Sequence, residues 1–172
     1  MRIQIDTREK PQAIGNILAE FDRQSIVTIR SKLPYGDYAS PDYPDIIVDR
    51  KQNLLELCNN ISDVPKKNKD GTFKKDRSGQ ILTEKRRFIS ELAGARQFGQ
   101  KMVILCEHGG QIRSIEDVKE WKNPRLKESP LAISGTRLYI ILNQLMKTYG
   151  FEIRFCDKRC TGKEIIKILK GE

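Results

Sequence analysis

At 172 residues the chain fits one domain, or one domain with a small extension, and it is long enough to bury a core. Its hydrophobic residues (38%) fall in runs too short to span a bilayer, and the charged opening MRIQIDTREK lacks the apolar centre of a signal peptide, so a soluble cytoplasmic protein with no membrane partner is expected. A net charge of +9, concentrated in one segment, favours a polyanionic partner, the alternative being a lysine-rich loop kept for solubility.

The alternation in Arg2-Ile3-Gln4-Ile5-Asp6 predicts a strand with Gln4 and Asp6 on one face and Ile3 and Ile5 on the other. Pro11 reads as the first turn of a helix that buries Ile14, Ile17, Leu18 and Phe21. Residues 25 to 32 (SIVTIRSK) read as a β-branched strand. A turn about Gly36 then leads into a short strand before Ser40. Asp45 to Lys51 (DIIVDRK) is a strand whose apolar run predicts burial on both faces. A short helix follows from Leu54 and ends near Asn59-Asn60.

Residues 63 to 82 lack periodicity and carry Pro65, Gly71 and Gly79, which predicts an exposed loop or hairpin inserted into the domain. Between 66 and 87 stand nine cations, Lys66, Lys67, Lys69, Lys74, Lys75, Arg77, Lys85, Arg86 and Arg87. Only Asp70, Asp76 and Glu84 oppose them. Such a concentration is either a solvated surface or a footprint for nucleic acid phosphates. No internal repeat is read in the chain.

Thr83 opens a helix with Phe88, Leu92 and Ala95 on one side, and Met102 to Glu107 is a further buried strand. A short helix is expected over 115 to 121, and Ser129-Pro130 is a candidate cap for the segment beyond. Leu138, Ile141, Leu142, Leu145 and Tyr149 form the longest amphipathic stripe, which serves either the core or a homodimer contact. Phe151 to Cys156 is the last strand, and Thr161-x-x-Glu164 reads as a capping box for a terminal helix. Strands alternating with helices predict an α/β domain with a mixed central sheet flanked by helices. Cys58, Cys106, Cys156 and Cys160, with His108 the sole histidine, do not complete a zinc set. The one histidine is not needed as a base by the site described next.

Gly36-Asp37 precedes Asp49-Arg50-Lys51 by eleven residues. With a strand period of two, Asp49 and Lys51 share a face and Arg50 takes the other. An apolar strand delivering a carboxylate and an ammonium to its end leaves them poorly solvated, so they need a partner, a metal or a task. Asp37, in a tight turn after glycine, is able to approach that strand end. Two carboxylates repel, and a divalent cation relieves them; Mg²⁺ or Mn²⁺ with hard oxygen ligands suits phosphodiester hydrolysis. Acid-x-lysine alone is also what a surface ion pair at a strand end looks like.

The wider pattern resembles the XPF family of structure-selective DNA nucleases, whose motif is G-D-x(n)-E-R-K-x3-D after a strand carrying D-x-R-E. Asp6-Thr7-Arg8-Glu9 matches the D-x-R-E element, Gly36-Asp37 the G-D, and Val48-Asp49-Arg50-Lys51 the V-E-R-K with Asp for Glu. Residues 85 to 98 and 103 to 107 are similar to the family's next helix and strand. Residues 129 to 160 are similar to the end of stand-alone ERCC-type domains of bacteria and their phages. The motif's last aspartate falls at Leu55, with Glu56 beside it. No stretch of the chain resembles the tandem helix-hairpin-helix module of eukaryotic members.

The resemblance implies a restriction-endonuclease-like core over residues 1 to 172. It also implies a metal-dependent endonuclease that leaves a 5′-phosphate and 3′-hydroxyl, acting on DNA, branched or at single-strand/duplex junctions. Asp37 and Asp49 are the implied metal ligands, with Lys51 and Asp6 in the catalytic set. Arg8, Glu9, Arg50 and Glu56 are expected to support it, Asp6 as a further metal or water contact or as a partner for Arg50. Tyr38 and Phe73 are candidates for stacking on an unpaired base or for packing. A catalytically decayed DNA-binding module of the same fold, or a nuclease acting on RNA, remain the alternatives.

Overall fold

The computed structural model describes residues 1–76 and 78–172. Six strands form one sheet: β1 (Arg2–Asp6), β2 (Val27–Ser31), β3 (Tyr38–Ser40), β4 (Tyr43–Lys51), β5 (Lys101–Cys106) and β6 (Glu152–Phe155). Their spatial order is β2-β1-β3-β4-β5-β6. The outer pairs β1/β2, β4/β5 and β5/β6 are parallel, whereas β3 runs antiparallel to both β1 and β4. The sheet is therefore mixed, as expected.

Five α-helices cover the two faces: α1 (Gly15–Arg23), α2 (Leu54–Asn60), α3 (Glu84–Gln97), α4 (Gly135–Tyr149) and α5 (Thr161–Lys170). Side-chain alternation along the strands divides the core in two. Ile47, Met102, Ile104 and Cys106 pack with α2, α3 and α4 through Leu57, Phe88, Leu92, Leu138 and Leu142. Ile3, Ile5, Val48, Val103 and Leu105 pack with α1 and α5 through Ile17, Phe21, Ile165 and Leu169. The α4 stripe considered for a dimer contact is therefore internal at Leu138, Leu142 and Leu145. Tyr38 is fully buried, edge-on to Phe21, so it packs and offers no face to a base.

Several boundaries differ from the sequence reading for local physical reasons. Pro11 opens a separate 3-10 turn at Pro11–Ala13, and α1 begins afterwards at Gly15. Ser134, not Ser129, caps α4 by accepting from the Arg137 backbone. Gly135 follows because a Cβ there would meet the carbonyl oxygens of Val118 and Trp121 at 2.4 and 2.5 Å. Thr161 does not form the expected capping box: it is the first residue of α5, and its hydroxyl donates to Glu107 Oε1 at 2.8 Å. The same hydroxyl lies 3.1 Å from Lys158 O, so it is shared between a tertiary carboxylate and the turn before α5 instead of capping the helix. All four cysteines are free, with Cys58 and Cys106 buried. Among the described residues, no helix is long and apolar enough to cross a membrane.

Candidate active site

The sheet topology brings Asp37 and Asp49 together. Antiparallel β3 and β4 place Tyr38 opposite Val48, so the turn before β3 lies against the last residues of β4. Gly36 makes that approach feasible: its φ is +65°, and a Cβ would sit 2.9 Å from Val48 O. The chain is held there by Asp37 N donating to Val48 O (2.8 Å) and Asp6 N donating to Asp37 O (2.8 Å). The Asp37 carboxylate accepts from Arg50 N at 2.8 Å. Gly94 on α3 leaves room for the Tyr35 ring, which a Cβ would meet at 2.4 Å, and so seats the same turn under the helix.

Asp37, Asp49 and Lys51 line one cleft of about 200 Å³ with Arg8, Glu9, Gln52, Glu56, Arg87 and Glu91. Asp49 and Lys51 are both nearly buried (6% exposed each), on the face covered by α2 and α3. Lys51 Nζ donates to Asp49 Oδ1 at 2.9 Å and lies 2.7 Å from Oδ2. Oδ2 is engaged by this ion pair although no hydrogen bond reaches it. Burial, and then the neighbouring Asp49, hold the Asp37 carboxyl well above the usual carboxylate range. For Lys51 burial acts to lower the pKa, but Asp49 and Asp37 outweigh it and keep the ammonium charged.

This donor set fits a hard divalent cation. Asp49 Oδ2 accepts no hydrogen bond beyond its ion pair with Lys51, and the Asp37 carboxylate is disfavoured by burial and then by Asp49; a cation between the two carboxylates would relieve both. Among the described residues, no group of three or more His, Cys, Asp or Glu side chains is arranged to hold a metal ion.

The other expected residues divide sharply. Asp6 is fully buried and does not line the cleft; its oxygens accept from Arg8 N (2.7 Å), Arg8 Nε (2.6 Å) and Leu33 N (2.7 Å). Burial acts to raise its pKa, and these bonds lower it overall. Asp6 thus holds the Arg8 guanidinium at the cleft, where Arg8 Nη2 also donates to Gly36 O at 3.3 Å. The Asp6 carboxylate does not partner Arg50, contrary to one expectation.

Arg50 crosses to the α1/α5 face, bonding Glu9 Oε2 (2.9 Å) and Glu107 Oε2 (3.1 Å). Tyr38 OH donates to the same Glu9 oxygen at 3.1 Å. The Arg50 side chain is therefore a brace behind the site. Glu56 faces the cleft while Leu55 lines a separate groove with Cys58 and Asn59. Glu56 Oε2 is engaged by Gln52 N at 2.8 Å, and Asn53 Oδ1 accepts from Glu56 N, so the pair caps α2. His108 lies outside the cleft, and burial lowers its pKa.

Glu91 and Glu107 were not anticipated. Glu107 follows an apolar strand, and its partners come from β4 and α5, a junction visible only in three dimensions. Glu91 sits one turn beyond Arg87 and accepts from it at 2.8 Å, a spacing that signals an ion pair but not its position at the cleft. Arg87, read with the basic insertion, instead borders the cleft itself.

Residues 5–169 match the ERCC4 domain. The chain belongs to the ERCC4 domain family. The match spans the D-x-R-E element at the end of β1, the G-D of the turn before β3 and the D-R-K at the end of β4, together with α1 to α4 and α5 to within a residue. Among solved structures, XPF from Aeropyrum pernix aligns with a TM-score of 0.60 at 17% identity, over 99% of this chain and 64% of that one. XPF from Aeropyrum pernix in complex with DNA aligns with a TM-score of 0.58 at 20% identity, over 98% and 63% respectively. The chain spans a little under two thirds of those structures, and at such identities the likeness is one of fold, a mixed α/β sheet flanked by helices. No curated protein sequence matches significantly.

Proposed function

We propose that this ERCC4 domain is a divalent-metal-dependent endonuclease that hydrolyses DNA phosphodiesters, leaving a 5′-phosphate and 3′-hydroxyl. The observation that carries the reading is the convergence of Asp37, Asp49 and the Lys51 ammonium in one polar cleft at the end of β4. The family assignment and the fold likeness to an XPF solved in complex with DNA add support.

Asp37 and Asp49 are the residues to hold Mg²⁺ or Mn²⁺. Bound there, the cation supplies a Lewis acid for the phosphate and lowers the pKa of a coordinated water. The protein's own groups do the rest. The Arg50 backbone N–H fixes the Asp37 carboxylate in place. Lys51, with one N–H on Asp49, has further N–H groups for a phosphate oxygen or the attacking water. Arg8, more than half exposed and held by Asp6, offers a guanidinium to the flanking phosphate. Asp6 and Arg50 act as positioning residues, and Glu56 with the N-cap Asn53 sets the start of α2.

The test is incubation of the purified protein with duplex, single-stranded, nicked, flap and forked DNA, and with matched RNA, in Mg²⁺ or Mn²⁺. The expected result is cleavage of at least one DNA form, abolished by chelation, with RNA resistant. Salt-sensitive DNA binding with no cleavage of any form in either metal would overturn the enzymatic reading in favour of a binding module.

A further inference from the structure

The basic insertion is built. Three backbone hydrogen bonds close a ring: Lys66 N to Leu82 O, Lys74 N to Lys66 O and Leu82 N to Lys74 O, each 2.8 Å. The ring makes residues 66, 74 and 82 equivalent, and so exposes an eight-residue repeat not noticed in the sequence: KKNKDGTF at 66–73 and KKDRSGQI at 74–81. Arg77 in the second unit lies outside the described residues.

Each unit closes a loop in the same way. Asn68 N donates to Thr72 O and Asp76 N to Gln80 O, both at 2.8 Å, and Gly71 and Gly79 turn the chain at φ +86° and +82°. The bridges Pro65↔Thr83, Lys67↔Phe73 and Lys75↔Ile81 repeat at the same interval. Among its described residues no apolar side chain of this segment is buried, and its own backbone bonds hold it in shape.

The cations of this unit divide into two sets. Lys66 pairs with Glu84 (2.8 Å), Lys85 with Asp63 (3.3 Å) and Arg86 with Asp76 (3.3 Å), which fasten the double hairpin to the start of α3. One turn further along, α3 presents Arg87 and Glu91 to the cleft. Lys67, Lys69, Lys74 and Lys75 are exposed and, among the described residues, make no ion pair.

We infer that the double hairpin is a preformed clamp for the nucleic acid backbone, with Lys67, Lys69, Lys74 and Lys75 contacting phosphates on the DNA flank beyond the scissile bond. The inference rests on the DNA reading of the site. A disordered lysine tract would lose conformational entropy on binding; a prefolded pair of loops avoids most of that loss and delivers its charges at fixed spacing. The contacts are to phosphate and carry no sequence preference.

The experiment measures equilibrium binding of a labelled DNA duplex without divalent metal, in the Asp37→Asn background so that no strand is cut. Because binding alone is read, the result does not depend on whether Asp37, Asp49 and Lys51 perform hydrolysis. Changing Lys67, Lys69, Lys74 and Lys75 together to alanine should lower affinity at least about ten-fold near 0.1 M salt. The slope of log K against log salt should shrink by about three to four, at ~0.9 per lost phosphate contact. The same four changed to arginine should keep affinity and slope, and Lys66→Ala should alter the slope by no more than about one. An alanine variant with unchanged melting temperature, affinity and slope would overturn the clamp, as would failure of the Asp37→Asn protein to bind duplex at all.

Discussion

Asp37 and Arg50 are joined by one hydrogen bond, from the Arg50 backbone N–H to the Asp37 carboxylate at 2.8 Å, while the Arg50 side chain is anchored on the opposite face of the sheet. The backbone of one residue thus orients a candidate metal ligand, and its guanidinium ties that strand to Glu9 and Glu107. A buried cation serving the half-buried Glu9 and the buried Glu107 is a stringent arrangement, because its removal leaves each acid without its charged partner, with only Tyr38 and Thr161 still donating to them.

Arg50→Ala should therefore destabilise the fold by about 3 to 5 kcal/mol. Chemical denaturation measures this directly. Arg50→Lys should recover only part of it, since an ammonium lacks the fork that reaches both acids. A loss below about 1 kcal/mol for the alanine variant would show that the Glu9–Arg50–Glu107 brace is not structurally important.

Asp37 carries the opposite expectation. Between its ordinary value of 3.8 and its raised value, the folded state holds a proton that the unfolded chain releases, so Asp37 lowers stability as pH rises through that window. Asp37→Asn keeps an oxygen for Arg50 N and removes the charge. In metal-free buffer the variant should be more stable than the parent by about 1 kcal/mol near pH 7, with the gap closing toward about pH 4. Thermal melts across pH test this; a variant less stable than the parent at neutral pH contradicts the reading of the buried pair.

Much of this was legible because it is local. Ile3 and Ile5, the run before Asp49, and the stripes of α1 and α3 carry the periods of their elements, and the D-x-R-E, G-D and D-R-K spacings carry the site. What the sequence could not reveal depends on contacts between distant elements. Thr161 looks like a cap until Glu107 is seen 2.8 Å away. Asp6 looks like a metal ligand until Arg8 and Leu33 are seen to use its oxygens. The repeat in the insertion is concealed by sharing only lysines and a glycine, and emerges from backbone bonds that no side-chain pattern encodes.

Gly36→Ala should separate the architecture of the site from its chemistry. The substitution forces a Cβ into a left-handed backbone and to 2.9 Å from Val48 O, where no flexible side chain is able to yield. Strain of about 1 to 3 kcal/mol is expected, relieved by movement of the Asp37 turn away from β4. Nuclease activity should fall by more than duplex affinity does. Equal loss of both, with unchanged stability, would argue against the turn as the device that presents Asp37.

The most direct test compares parent and Asp37→Asn proteins on the best-cleaved DNA under single-turnover conditions in Mg²⁺, with duplex binding measured in parallel. Cleavage by the variant should fall by a factor of about 10³ or more, the scale of losing a group that acts in the transition state, while its affinity for DNA is retained. Cleavage by Asp37→Asn at the parent's rate would contradict the account, because the carboxylate assigned to hold the metal beside Asp49 would then have no part in the reaction.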